Sequence, residues 1–176
     1  MKSYLAAAFM LLPAVPVLAE NCVSSLEQLE GEYTIINGPG QLINVPNVGT
    51  VPAAAEATLT ARFTKYGDSI GLDSEVFGAM VVDFVEVTDP SEMWNFNESD
   101  VFATSASEVV TRGANCGSAT QLIHLLGTGT TELPNVGTRQ ISMRLTVFDE
   151  NTIVGRMDIV MVPPNVTLQT RIFISK

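Results

Sequence analysis

Histidine and tryptophan occur once each in the chain, at His124 and Trp94, and cysteine only twice, at Cys22 and Cys116. A metal centre draws on clustered histidine, cysteine and carboxylate ligands. His124 instead stands alone in Gln121-Leu122-Ile123-His124-Leu125-Leu126, where it reads as a satisfied core or edge histidine, so no metal site is expected. A Ser-His-Asp set would have to use that same ring, and no G-x-S-x-G, P-loop or GxGxxG occurs. Asp149-Glu150 reads as the tip of a hairpin, where solvated carboxylates have no cause for shifted proton affinity. These absences predict a chain without cofactors that is not an enzyme.

Positive charge is scarce too: 9 basic residues face 19 acidic ones, a net charge of −10. Such a surface repels nucleic acid and anionic lipid, and neither is an expected partner. Long apolar runs are also missing, apart from Tyr4 to Leu12. That run follows the lone cation Lys2 and precedes Pro13, Pro16 and Val17-Leu18-Ala19. It is too short to span a bilayer and has the three-part layout of a secretory signal, predicted over residues 1–19. A periplasmic or extracellular destination follows. Without those residues, 157 of the 176 remain, enough for a single domain over 20–176.

Export also decides the cysteines. Cys22 follows Glu20 and Asn21 rather than the small or apolar residues that precede a lipid-modified cysteine. In an oxidising compartment two cysteines have one possible pairing, so a Cys22–Cys116 disulfide is predicted.

Helical periodicity is confined to a possible short helix at Ser24–Glu30, with Ser24 and Glu27 at capping-box spacing. Alternation dominates elsewhere. In Ile141-Ser142-Met143-Arg144-Leu145-Thr146-Val147 the odd residues are apolar, and Met157, Ile159 and Met161 share one face opposite Arg156 and Asp158. With Asp149-Glu150-Asn151 and Pro163-Pro164-Asn165 as turns, the C-terminal third reads as a three-strand meander. Avoidance of like charges predicts Arg144 opposite Asp158 across a Glu150-Asn151-Thr152 loop.

PNVGT occurs at Pro46–Thr50 and again at Pro134–Thr138, and its surroundings match as well. Asn21-Cys22-Val23-Ser24 parallels Asn115-Cys116-Gly117-Ser118, and the turn signal Gly38-Pro39-Gly40 parallels Gly127-Thr128-Gly129. Two copies of a four-strand unit are expected, over about 21–105 and 115–176, joined by 106–114. The strands are placed at 32–37, 57–66, 78–88 and 100–105, then at 119–126, 139–149, 153–162 and 166–175. Four strands cannot bury an apolar face alone, so the copies should share one core. The expected fold is all-β: an antiparallel barrel of about eight strands or a two-sheet sandwich, pseudo-twofold in either case.

In an up-and-down order both PNVGT loops fall at one end. The insertion Asp89 to Asn97, which carries Trp94 and Phe96, is expected on the same rim. Pro46, Asn47, Trp94, Phe96, Pro134 and Asn135 are therefore the candidate contact residues. Met80, Met143, Met157 and Met161 belong to the inward set, and methionine adapts to irregular packing and to varied ligands. Outward faces reading Thr60-Arg62-Thr64 and Ser142-Arg144-Thr146 do not suit lipid, so an outer-membrane barrel is not expected. The expected function is an exported, non-catalytic module that captures a small apolar molecule. The alternative is a module that contacts another exported protein, as a secreted inhibitor or an envelope-assembly component does.

Overall fold

The computed structural model describes residues 22–53, 57–74, 81–88, 111, 116, 122–133, 137–162 and 164–176. Among the described residues nine strands form one antiparallel sheet: β1 (Gly31–Val45), β2 (Gly49–Ala53), β3 (Ala57–Tyr66), β4 (Ser69–Ser74), β5 (Val81–Glu86), β6 (Ile123–Leu133), β7 (Gly137–Asp149), β8 (Thr152–Val162) and β9 (Val166–Ser175). The order is β2-β1-β3-β4-β5-β6-β7-β8-β9, and β9 pairs back onto β1 from Thr34↔Ser175 to Ile43↔Thr167. Eight strands thus close a barrel, and β2 is the extra one. Closure gives each of the eight strands two neighbours, which a sandwich with open edges would not.

Period-two alternation decides which residues fill the barrel. Tyr33, Ile35, Ala61, Phe63, Ile70, Leu72, Val82, Phe84, Leu125, Met143, Leu145, Ile153, Met157, Ile172 and Ile174 form one buried cluster. The three-strand meander β7-β8-β9 and its inward odd-numbered faces on β7 and β8 stand as expected. Glycine in a strand interior marks close approach in two of these walls. A Cβ on Gly127 would lie 2.3 Å from the Phe84 ring, and one on Gly40 would lie 2.4 Å from the Gln169 carbonyl oxygen. Gly38-Pro39-Gly40 and Gly127-Thr128-Gly129 are therefore strand interiors rather than turns, the first at a register shift between Asn37 and Gly40.

Other expectations also shift. Arg144 faces Arg156, not Asp158, because Asp149 pairs with Thr152 and the loop is only Glu150-Asn151. The Asn151 N–H donates to Asp149 Oδ1 at 2.8 Å, which holds this tight turn, and a bulge between Val147 and Asp149 sets the register beyond it. Opposition of the two arginines is relieved along the strand, where Arg156 Nε donates to Asp158 Oδ1 at 2.9 Å. In the first half, β4 is a strand that the sequence reading left in a connection. Tyr66 pairs with Ser69 around Gly67-Asp68, with Gly67 at φ 60°. The strand expected at 78–88 is β5, and 100–105 lies outside the described residues. The short helix is a 3-10 turn over Leu26–Leu29, and it is Gln28 Oε1, not the Glu27 carboxylate, that accepts from the Ser24 and Ser25 N–H groups, at 2.7 and 3.2 Å.

The disulfide is formed: Cys22 and Cys116 are bonded, with Cα atoms 5.6 Å apart. Cys116 packs on Leu122, Phe148 and Val154, a second small core on the outer side of the wall. His124 and Thr146 stand on that same outward parity yet are buried, with Nδ1 3.1 Å from Thr146 Oγ1. His124 is thus a packed, hydrogen-bonded wall residue.

Candidate functional site

The two ends of the barrel are closed differently. At the end where β1, β4, β6 and β8 begin, the 3-10 turn lies across the opening, and Val23, Leu26 and Leu29 join the main core. Side chains fasten this plug. Lys65 bonds Glu27, the Lys65 N–H donates to Glu30 Oε1 at 2.9 Å, and Lys176 Nζ reaches the Gln28 carbonyl at 3.4 Å. The hydrogen bond from Lys65 pulls the Glu27 carboxyl down to about 2.

Tyr33 closes the same end from inside, its hydroxyl donating to the Glu150 carbonyl at 3.2 Å and its ring lying under Lys176. Burial, with the Glu150 charge adding, pushes the phenol up to about 12. A raised folded value means that the stability tied to this proton is complete below pH 10, the unfolded value, and is lost as pH rises through 12. Alkaline unfolding in that window should therefore flatten in Tyr33→Phe, as measured by urea midpoints against pH; an unchanged slope would remove Tyr33 from the closure.

At the opposite end stand the PNVGT hairpins. In the first, Val45 pairs with Gly49 and the Val48 N–H donates to the Val45 carbonyl at 3.1 Å. Pro46 and Asn47 occupy the central positions, with Asn47 at φ 65°, the positive value a type II turn requires there. The second hairpin closes on the corresponding pair Leu133↔Gly137, while Pro134 and Asn135 lie outside the described residues. Trp94 and Phe96 lie outside them as well. The connection that holds them, 87–122, leaves β5 and enters β6 at the plugged end, so its anchors are opposite the PNVGT hairpins rather than beside them.

Inward-facing side chains lose burial toward the hairpins on β3 and β8, whereas on β9 Val166 at the hairpin end is buried. On β3, Phe63 and Ala61 are buried and Leu59 is half-buried; on β8, Ile153 and Met157 give way to half-buried Ile159 and Met161. Leu42 on β1 and Leu168 on β9 are likewise half-buried. These half-buried apolar side chains lie hairpin-ward of the buried Met143, Met157 and Phe63.

Polar side chains share that inner face, among them Arg139, Asn37, Thr131 and Thr170. Arg139 continues the Ile141, Met143, Leu145 parity and sits directly opposite Thr131 on β6 and Met161 on β8. Asn37 continues Tyr33 and Ile35 and faces Ala57 and Ile172. Arg139 Nε and Asn37 Oδ1 are buried and have no hydrogen-bond partner. Thr170, by contrast, is satisfied by the Gly38 carbonyl at 2.8 Å. The sequence reading missed Arg139, although its odd number on β7 was the available signal.

Outside the wall, Thr128, Thr130, Gln140, Ser142, Asp158 and Val160 line an open depression of about 220 Å³. Among the described residues no group of three or more His, Cys, Asp and Glu is placed to hold a metal ion, and no helix is long and apolar enough to cross a membrane. The chain matches no protein-family model, no curated protein and no solved structure.

Proposed function

We propose that this chain is an exported, non-catalytic binding module that takes a small apolar molecule into the hairpin end of its barrel. The observation that carries this reading is the unequal closure. One end is plugged by the Leu26–Leu29 turn, and the other presents Leu42, Leu59, Ile159, Met161 and Leu168 facing inward and only half-buried. Barrels of eight strands either fill with side chains or hold one small ligand, and an apolar mouth above a packed floor suits the second. The polar groups within it are an arginine, an amide and threonine hydroxyls, none of them a base near neutral pH. The disulfide is consistent with an oxidising destination, and thus with removal of residues 1–19 on export.

A duplicated four-strand unit is part of the same proposal. Its support is the pair of hairpins, each closing an apolar residue on a glycine around Pro-Asn-Val, followed by two-residue turns at Gly67-Asp68 and Glu150-Asn151. On this correspondence β1, β3, β4 and β5 match β6, β7, β8 and β9; it replaces the expected match of 78–88 with 153–162 and of 100–105 with 166–175, because β4 stands between β3 and β5.

Titration with fatty acids and other apolar compounds, followed by equilibrium dialysis and by Trp94 fluorescence, tests the capture. Saturable binding with one site per chain is expected. Absence of binding to every compound would turn attention to the protein-contact reading. One observation favours that alternative: Val48 is 64% exposed at the tip of the first hairpin, next to Pro46 and Asn47.

A further inference from the structure

We propose that the molecule held in the mouth carries an oxyanion headgroup, a carboxylate or a phosphate, which Arg139 binds inside the wall; this inference rests on the capture reading above. A guanidinium N–H enclosed without an acceptor has lost its water and gained nothing in exchange. Arg139 Nε is in that position, on the inner face one inward step from Ile141 of the main core.

The chain does not lack carboxylates, having 19 acidic residues. It places the nearby ones elsewhere. Glu132 and Asp158 have the opposite parity on β6 and β8 and face outward, and Asp158 is already held by Arg156. The inner-face neighbours directly across from Arg139 are a thioether, Met161, and a hydroxyl, Thr131. Neither satisfies a charged fork, but Thr131 can add a second donor to an anion bound there.

Asn37 makes no demand of fixed sign, because an amide flip exchanges its orphan acceptor for a donor. Arg139 allows no such exchange, since all its hydrogen-bonding atoms donate. An anionic head at Arg139 leaves the tail to lie across Ile159, Leu168, Leu42 and Leu59, with Met143 and Met157 beneath. This arrangement describes an amphipathic ligand with its head near the rim.

The test uses the disulfide-bonded chain and three probes with one tail: decanoate, decyl phosphate and decanol. At least one anion should bind about ten- to a hundredfold more tightly than decanol, the range expected for a hydrogen-bonded charged pair. The tighter of the two anions names the headgroup. Arg139→Gln should abolish that preference while leaving decanol affinity unchanged, and Arg139→Lys should keep part of it, with circular dichroism checking the fold of each variant. Equal binding of all three probes to the unaltered chain, or a preference that survives in Arg139→Gln, overturns the headgroup and leaves apolar capture standing. Failure of every probe to bind overturns capture itself. Should Arg139→Gln not fold, the three probes on the unaltered chain still decide.

Discussion

Reduction of the Cys22–Cys116 bond, or replacement of both cysteines by serine, should lower the unfolding free energy by up to about 4–5 kcal/mol. The bond joins positions 94 residues apart, so cutting it releases a large loop of the unfolded chain and raises its entropy. In the folded state the bond joins the segment leading into the plug to the wall patch of Leu122, Phe148 and Val154 on which Cys116 packs. Urea unfolding with and without reductant measures the effect. A loss under about 1 kcal/mol would mean that the plug and the patch hold together without the covalent link.

Truncation of Phe63 to alanine should cost about 3–5 kcal/mol. Phe63 is 1% exposed, meets the Tyr33 ring edge-on at 5.2 Å and the Phe84 ring at 5.9 Å, and occupies the floor of the proposed mouth. Its removal leaves a cavity that closed strand pairing cannot collapse, because both neighbours of β3 are hydrogen-bonded along this stretch. Leu59→Ala, four residues up the same strand on the same face, is the informative partner. Half-buried at the mouth, it should cost less than the ~2 kcal/mol at which buried leucine truncations begin. Equal losses at the two positions would indicate a mouth as tightly filled as the floor, and the capture reading would fall with it.

Much of the wall was legible because strand alternation is a local property. Met143, Leu145, Met157 and Phe63 follow from odd or even spacing within one segment, and that rule needs no knowledge of the neighbouring strand. β4 escaped the same rule because Ser69-Ile70-Gly71-Leu72-Asp73-Ser74 offers two apolar side chains on one face, diluted by a glycine. The Gly67-Asp68 turn signal before it was the better clue. Arg139 lies inside the strand expected at 139–149, but it escaped because the apolar alternation that marks the inner face starts at Ile141. The expected Arg144–Asp158 pairing failed for a different reason. Charge opposition contributes only about 0.2–1 kcal/mol, too little to move a hairpin whose turn and bulge already set the register.

Sidedness of the strands and the pairing of the only two cysteines were determined by the amino-acid sequence itself, one through a two-residue period and the other through arithmetic. Closure of β1 on β9, the plug at one end and the burial of Arg139 Nε on the inner face were decided by tertiary structure. Thr34 and Ser175 meet in that closure across almost the whole chain. Pairing at such separation is chosen by the summed burial of all eight strands at once, and no local pattern encodes that sum.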